Sequence, residues 1–293
     1  MHNTNIEKAL KIAIVLTFGF FIVEVIGGMA SGSLSLIGDA GHMLRDALAL
    51  FISFSAIRIA EKLPTPAKTF GYHRTEILAA LINGLLLAGI SIWIFYEAYK
   101  RFLEPQPIES LTMFAVALVG LLVNLYVANK LHGSHDLNVK SAFLHVAVDA
   151  ISSVAVIFAS AWIFFTGQTI IDPLLSAVLA VFILISAFFI IRDSMHILLG
   201  FAPKDVDFDE VIRSIKGVKG VEDVHNLHLW TLCSNINVID AHVFTKCQKM
   251  SQTEKIKRQV KQRLEKYSIR HMTLEFECKE CTDSSRTKTI RHR

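Results

Sequence analysis

Residues 141–165 read SAFLHVAVDAISSVAVIFASAWIFF, and they contain one histidine, His145, one aspartate, Asp149, and no lysine or arginine. At 1.5 Å per residue, a helix of this length crosses the roughly 30 Å of hydrocarbon in a bilayer. An ionisable residue at that depth is costly and indicates a functional site. The stretch therefore predicts a transmembrane helix that carries part of a binding site.

Five further apolar segments have the length of a transmembrane helix. These five segments cover roughly residues 10–30, 36–59, 77–99, 110–130 and 170–192. The segment that contains His145 and Asp149, at 141–166, makes six. The chain of 293 residues is 52% hydrophobic and only 19% charged, with a mean hydropathy of +0.45. That composition is typical of a membrane protein. We predict a membrane all-α domain, a bundle of six helices surrounded by the lipid bilayer.

The basic residues near the ends of the spans predict the orientation of the chain, because lysine and arginine accumulate on the cytoplasmic side. Most of them fall on one side, namely Lys8, Lys11, Arg58, Lys62, Lys68, Arg74, Lys130, Lys140 and Arg192. Lys100 and Arg101 fall on the other side. We therefore expect a multi-pass protein of the cell (inner) membrane with both termini in the cytoplasm, whose first span is not a cleaved signal peptide.

The sequence changes character after Pro203, where polar, periodic sequence replaces the apolar runs. DFDEVIRSIKGV (207–218) predicts a helix capped by Asp207, and SQTEKIKRQVKQRLEKY (251–267) predicts a second with a Ser251/Glu254 capping box. VEDVHNLHLWTL, NVIDAHVFT and HMTLEFE alternate polar and apolar residues, which predicts three strands. The order helix–strand–strand–helix–strand predicts a small α+β domain.

These patterns predict three regions along the chain. The transmembrane domain is placed at 1–200 and the α+β domain at 201–283, and both are followed by a basic tail at 284–293. The tail is short and rich in charge, so we expect it to be disordered. The basic residues do not form a stripe with interleaved aromatic residues, which argues against a nucleic-acid partner.

Two spans carry the same pair of polar residues four positions apart. His42 and Asp46 lie in the second span, and His145 and Asp149 lie in the fifth. Residues i and i+4 share one face of a helix, so two facing helices would supply four ligands, as Zn²⁺ prefers. Two carboxylates would also neutralise one divalent ion. One pair alone fits a packing hydrogen bond equally well, whereas the duplication favours a metal site.

Other polar residues in the spans have more than one interpretation. Asp39, three residues before His42, is either a waiting position for the metal or a helix cap with a packing role, and we favour the second. Glu24, Asn83 and Asn124 are expected to form interhelical hydrogen bonds. For Glu24, proton handling is the alternative.

The chain resembles the cation diffusion facilitator family, in particular its bacterial and archaeal zinc, cadmium and cobalt exporters. The resemblance rests on SLSLIGDAGHMLRDALAL (33–50), TFGYHRTEILAALINGLLL (69–87), SAFLHVAVDAISSVAVI (141–157) and, near the C-terminus, VHNLHLWTL and DAHVFT. It implies six spans followed by a cytoplasmic ferredoxin-like domain, a homodimer, and metal export in exchange for protons.

Residue by residue, the resemblance assigns the transport site to His42, Asp46, His145 and Asp149, with histidine at the first position associated with zinc selectivity. We therefore expect Zn²⁺ as the main cargo, with Cd²⁺ and Co²⁺ as further candidates. Arg45 departs from the serine or threonine that relatives often have there. Successive residues of a helix are rotated by about 100° around its axis, so the Arg45 side chain points away from that of Asp46. We therefore expect the charge of Arg45 to be paired elsewhere.

The resemblance also implies a regulatory Zn²⁺ site in the cytoplasmic domain, formed by His225, His242, His271 and Glu277. His228 is either an alternative ligand or a packed core histidine. Cys278 and Cys281 form a Cys-x-x-Cys pair, which either binds metal with further ligands, such as His2, or remains two reduced surface thiols. His73 matches a position near a peripheral metal site in some relatives.

Three rival functions agree less well with the sequence. An intramembrane metalloenzyme requires a motif such as His-Glu-x-x-His and one open ligand position, and the sequence contains no such motif. We therefore expect a protein that is not an enzyme. A membrane-anchored sensor leaves the paired ligands in the spans unexplained. A passive channel requires weak or multiple sites, whereas four ligands favour a carrier.

Overall fold

The computed structural model describes residues 2–44, 48, 65–131, 137–234, 236–246 and 249–278, with the backbone alone at 2–14, 131, 137–142, 144 and 145. The chain forms two compact units. The first comprises residues 1–54 and 82–191, and the second comprises residues 55–81 and 192–293. The predicted tail at 284–293 lies outside the described residues.

The first unit is built from long helices. They are α1 (His2–Ser31), α2 (residues 34–44), α3 (His73–Leu103), α4 (Ser110–Leu131), α5 (Leu137–Thr166) and α6 (Ile171–Leu198). By length and composition, α3 to α6 each contain a segment that can cross a membrane, and α1 adds a shorter apolar segment, Val15–Ser31. Most of the predicted second span, 36–59, lies outside the described residues after residue 44. The predicted helical membrane domain is confirmed.

The outer faces of these helices carry large apolar side chains. Ile151 is 70% exposed and Phe165 is 83% exposed. In water such a surface would be unfavourable, whereas hydrocarbon solvates it without cost. Small residues such as Ala117 and Ala159 lie in the contact between α4 and α5, where they allow close packing.

Helices α1 and α4 approach each other closely at two glycines. A Cβ atom on Gly27 would lie 2.5 Å from Val116 Cγ2, and one on Gly120 would lie 2.3 Å from Phe20 Cζ. No carbon atom fits at those distances, so a side chain at either position would push the helices apart. Glycine is therefore required for this contact.

The start of α2 is held by a carboxylate from α6. Ser33 caps the helix by accepting a hydrogen bond from Leu36 N at 3.3 Å. Asp172 accepts hydrogen bonds from Leu34 N at 2.8 Å and from Ser35 N at 3.1 Å. The hydroxyl groups of Ser33 and Ser35 also donate to it, at 2.7 and 2.6 Å. Asp172 is fully buried, and the positive end of the α2 dipole stabilises its charge.

The second unit contains the predicted α+β domain. Its elements are α7 (Phe208–Lys216), β1 (Val221–Cys233), β2 (Ile236–Thr245), α8 (Met250–Leu264) and β3 (Ile269–Glu277). β2 lies in the middle of the sheet, antiparallel to β1 and parallel to β3. The order αββαβ and the ferredoxin-like fold class are confirmed.

Both helices of this domain pack one apolar face on the sheet. Ile256, Val260 and Leu264 of α8 are buried at a spacing of four residues, as an amphipathic helix requires. Asp207 caps α7, as predicted, by accepting from the backbone N–H groups of the two acidic residues that follow Phe208. The predicted cap of α8 was wrong, because the helix begins at Met250 and its cap is Lys249 rather than Ser251.

Residues 65–81 belong to the second unit, although the sequence placed them in the transmembrane domain. Ser234 Oγ, next to the β1–β2 turn, donates to Glu76 Oε1 at 2.6 Å. Cys233 Sγ lies 3.6 Å from His73 Nδ1. These contacts group the start of α3 with the sheet. The proposed domain boundaries at residues 200 and 283 stay predictions.

Candidate metal centres

In the first unit, one histidine and one aspartate of the two predicted pairs lie side by side. His42 Nε2 of α2 is 3.5 Å from Asp149 Oδ1 of α5, and the two side chains are 21% and 9% exposed. Asp46 lies outside the described residues. His145 is helical and one turn before Asp149, but its side chain is outside the description. The structure thus brings together one residue from each predicted pair.

Asp39 lies beside this pair but does not cap a helix. It is inside α2, whose cap is Ser33. The Oδ1 atom of Asp39 accepts a hydrogen bond from Ser152 Oγ at 2.7 Å, and Ser152 also donates to the carbonyl oxygen of Asp149 at 3.0 Å. Asp39 is 5% exposed. Asp39 is therefore not the cap of α2; its hydrogen bond with Ser152 of α5 agrees with the packing role, and the waiting position for the metal stays a prediction.

The second unit contains a cluster with one residue from each of its three strands. It consists of His225, His242 and Glu277, whose ligand atoms all lie within 4.8 Å of one another. His242 Nδ1 is 2.7 Å from Glu277 Oε1, and His225 Nε2 is 3.1 Å from Glu277 Oε2. The two imidazole rings are 5.4 Å apart. The carboxylate therefore faces both imidazoles.

A bulge in β1 turns His225 into this cluster. The pairing of β1 with β2 shifts between His225 and His228, and Asn226 between them has a φ of +47°. Asparagine tolerates this left-handed conformation better than most residues. The bulge breaks the alternation of the strand, so Val224 and Leu227, three residues apart, both lie in the apolar core, while His225 lies on the other face beside its cross-strand partner His242. Sequence alternation alone does not reveal such a shift.

The cluster has the donor set of a zinc site. Two imidazoles and one carboxylate are three of the four ligands that Zn²⁺ takes. His225 Nε2 and Glu277 Oε2 are buried 3.1 Å from each other, but neither forms a well-aligned hydrogen bond among the described residues. Buried polar atoms without a hydrogen bond are rare in proteins, and a bound ion is one explanation for them. These residues fit a metal ion.

Outer contacts hold His242 in place, and the sequence did not identify them. Asn226 Nδ2 lies 3.0 Å from His242 Nε2, and Glu275 Oε2 lies 3.5 Å from the same atom. Such contacts orient an imidazole towards a metal. Glu275 stands directly across from His242 in the β2–β3 ladder. The sequence could have indicated Glu275, because residues two apart on a strand share one face and Glu275 stands two residues before Glu277.

The structure does not bring His271 into the cluster. His271 and Glu277 share one face of β3, but six residues of strand place them about 20 Å apart. His271 is exposed, and its ring lies 5.3 Å from that of Phe70. His228 is also outside the cluster, with Nε2 3.2 Å from Asn226 Oδ1.

The cysteines of the second unit have different surroundings. Burial, together with the smaller effect of the nearby Glu76 charge, raises the pKa of the Cys233 thiol to about 11. Cys233 therefore stays a thiol at neutral pH, whereas metal binding needs a thiolate. Cys278 is exposed at the end of β3, and Cys281 lies outside the described residues. The predicted Cys278/Cys281 pair stays a prediction.

Comparison with known proteins extends over nearly the whole chain. Residues 10–199 match the cation efflux transmembrane domain, and residues 203–278 match the cytoplasmic domain of cation efflux proteins. A cadmium, cobalt and zinc/H⁺–K⁺ antiporter of Bacillus subtilis is 39% identical over 284 residues, which cover 94% of this chain and 91% of that protein.

Two further relatives show comparable sequence identity and coverage. The metal cation efflux system protein CzcD of Cupriavidus metallidurans is 40% identical, over 96% of this chain and 89% of that protein. The zinc transporter ZitB of Escherichia coli is 37% identical, over 94% of this chain and 89% of that protein. Together with the two matched domains, these similarities show that the chain belongs to the cation efflux family, a family of multi-pass membrane transporters and not of enzymes.

Proposed function

We propose that this protein exports Zn²⁺, and also Cd²⁺ and Co²⁺, from the cytoplasm in exchange for protons. The observation that carries the proposal is the approach of His42 Nε2 to Asp149 Oδ1, at 3.5 Å, between two helices of the membrane unit. Asp46 and His145 complete a tetrahedral site in the proposal. An imidazole and a carboxylate from different helices are costly at this depth unless they bind an ion or a proton.

Proton exchange follows from the chemistry of these ligands. Zn²⁺ binds neutral imidazole and ionised carboxylate, so binding releases protons, and protonation of the ligands releases the metal. Histidine titrates near neutral pH in its unperturbed state, which places this competition in the working range. An acidic exterior would therefore expel the metal outward. The similarity to the Bacillus subtilis protein, which is named as an antiporter of metal against H⁺ and K⁺, supports this coupling.

A homodimer with cytoplasmic termini is part of the proposal. The domain family that residues 203–278 match is a cytoplasmic one, and its name refers to a dimer. The distribution of basic residues around the spans supports the same orientation.

The test is zinc uptake into proteoliposomes that contain the purified protein and a pH gradient. His42→Ala and Asp149→Ala are each expected to reduce uptake to below about a tenth of the wild-type rate, because each removes one of four ligands. His196→Ala is the matched control, because it removes an imidazole whose ring lies 4.9 Å from Phe201 in the second unit. Wild-type uptake by His42→Ala or Asp149→Ala would contradict the proposed site.

The cluster of His225, His242 and Glu277 is proposed as a cytoplasmic regulatory zinc site. Its support is the close approach of the three ligands and the buried atoms without a hydrogen bond. A fourth ligand would come from water, from Glu275 or from another part of the dimer. Zinc at this site would fix the three strands relative to one another.

Zinc titration of the metal-free, full-length protein tests whether the site consists of His225, His242 and Glu277 alone or also includes His271, as the sequence predicted. His242→Ala is expected to remove one high-affinity zinc site per chain, because it leaves one imidazole and one carboxylate. His271→Ala, on the same face of β3 as Glu277 but about 20 Å away, is expected to retain the wild-type number. If His271→Ala removes a site and His242→Ala does not, the cluster is not the zinc site.

A further inference from the structure

Two adjoining cavities lie in the second unit, and no residue of the proposed metal sites lines either of them. One has a volume of about 490 Å³ and lies between residues 67–74 and the end of β1. The other has a volume of about 370 Å³ and is lined by Arg74, Gly200 and residues 228–230 of β1. Arg74 and Trp230 line both cavities. Volumes of roughly 300–1,000 Å³ are typical of ligand sites.

Both cavities lie at the ends of two membrane-spanning helices. Arg74 is the second residue of α3, which begins at His73, and Gly200 follows α6, which ends at Leu198. Helices α3 to α6 cross the membrane in succession, so the start of α3 and the end of α6 are on the same side. Leu199, between α6 and Gly200, is 63% exposed, as a side chain in contact with lipid would be. The cavities therefore lie at the depth of the lipid headgroups.

The larger cavity contains two cations that are not neutralised. Lys68 and Arg74 are both exposed, and neither forms an ion pair with another described residue. Lys68 Nζ instead lies 3.9 Å from the centre of the Tyr72 ring. No acidic side chain lines either cavity among the described residues. By contrast, Lys204 after α6 pairs with Asp193. Two positive charges are therefore available to an anion.

The backbone around these cations is held in place before any ligand binds. Thr65 N donates to the carbonyl oxygen of Lys68 at 3.2 Å, and Lys68 N donates to that of Thr65 at 2.9 Å. Gly71 N donates to the same Lys68 carbonyl oxygen at 2.8 Å. On the opposite wall, Trp230 is fixed by its pairing with Val238 in the sheet. Fixed walls reduce the entropy that binding costs.

The chemistry of the walls indicates the ligand. The Arg74 guanidinium has the planar geometry that recognises phosphate, and the charges of Arg74 and Lys68 repel a metal cation. A tryptophan ring is favoured at the membrane–water interface, and basic pockets beside membrane helices bind acidic headgroups. A soluble phosphate would use the cations alone. A phospholipid would also cover the exposed apolar side chains of Phe70 and Leu199 with its acyl chains.

We propose that Lys68, Arg74 and Trp230 form a binding site for the phosphate headgroup of an anionic phospholipid. A lipid bound there would bridge the start of α3 and the end of β1. The inference concerns a membrane partner, so it depends neither on the identity of the transported metal nor on the ion exchanged for it.

The experiment measures lipid binding to the full-length protein in a neutral detergent. The chain has three tryptophans, so Trp93→Phe together with Trp162→Phe leaves Trp230 as the fluorescent reporter. The added lipid is phosphatidylglycerol with bromine quenchers on the acyl carbons nearest the headgroup. Phosphatidylcholine with the same chains is the zwitterionic control, and inorganic phosphate is the soluble competitor. We expect quenching that saturates with phosphatidylglycerol at a concentration about tenfold lower than with phosphatidylcholine, and that excess inorganic phosphate leaves unchanged.

The same titration is repeated with variants of the cations. Lys68→Gln and Arg74→Gln are each expected to weaken phosphatidylglycerol binding about fivefold, the usual contribution of one basic residue at a membrane surface. Arg213→Gln is the matched control, because it removes an exposed cation of the same unit that lies on α7 and pairs with Asp207 at 3.6 Å. It is expected to keep the wild-type affinity.

A second pair of variants keeps both cations and adds a carboxylate to the smaller cavity. A Cβ atom on Gly200 meets nothing within 4 Å, so a side chain there has room. Gly200 has a φ of +72°, which aspartate and asparagine tolerate better than most residues. Gly200→Asp is expected to bind phosphatidylglycerol about fivefold more weakly than Gly200→Asn, which has the same shape and no charge.

Three results would overturn the inference. Equal affinity for phosphatidylglycerol and phosphatidylcholine would show that the charge of the headgroup is not recognised. An equal loss in Arg213→Gln and Arg74→Gln would reduce the effect to the overall charge of the protein. Displacement of the lipid by inorganic phosphate would make the cavities a site for a soluble anion.

Discussion

Replacing Asp172 by alanine is expected to destabilise the membrane unit more than replacing any exposed carboxylate of the same helix. The change removes the acceptor of the Leu34 and Ser35 N–H groups, and nothing in water or lipid reaches this fully buried position to replace it. Each buried donor that loses its partner costs about 1–3 kcal/mol. The hydroxyl groups of Ser33 and Ser35 lie 3.1 Å apart and can partly satisfy each other.

Thermal denaturation of the purified protein in detergent, followed by the loss of the monodisperse fraction, measures this effect. Asp193→Ala is the control on the same helix, because Asp193 is exposed and pairs with Arg192 and Lys204. An exposed pair of this kind contributes about 0–1 kcal/mol. Equal denaturation temperatures of the two variants would mean that Asp172 does not hold the start of α2.

Gly27→Ala is expected to separate α1 from α4. The added Cβ would lie 2.5 Å from Val116 Cγ2, 2.9 Å from Cγ1 and 3.2 Å from Cβ. Valine has a stiff, branched side chain that cannot turn away, so the helix backbones must move. Overpacking of this kind costs about 1–3 kcal/mol.

Gly19→Ala is the matched control on α1, since a Cβ there meets nothing within 4 Å. Alanine is favoured over glycine in a helix by about 1 kcal/mol, so this variant is expected to be as stable as the wild type or more so. The readout is the denaturation temperature in detergent together with the yield of membrane-inserted protein. Equal stability of both variants would show that the α1–α4 contact tolerates a side chain.

The sequence was sufficient to predict the order of the elements. Long apolar runs predict membrane helices because backbone groups in lipid must be satisfied within the segment. The alternating strands of the second unit were equally clear, since one face of the sheet is buried under α7 and α8. Local signals such as the Asp207 cap were also readable. The cap of α8 was not, because two possible starts lie within two residues of each other.

Contacts between distant residues were beyond the sequence pattern. Nothing near Asp172 indicates that it caps α2, because its partners are more than a hundred residues earlier. The cytoplasmic cluster was predicted in part, since His225, His242 and Glu277 are together while His271 is not. The backbone bulge at Asn226 decides the position of His225, and the length of β3 decides that of His271. Neither is visible in residue types alone.

The parallel pairing of β3 with β2 has a consequence for biosynthesis. His225 and His242 lie on one hairpin and come together as soon as it forms. Glu277 reaches them after the chain has passed through α8 and returned to the sheet. A nascent chain that ends before β3 would hold two imidazoles without the carboxylate and would release zinc readily. If zinc occupies the cluster as proposed, tight zinc binding would therefore occur only in a completely synthesised and folded domain.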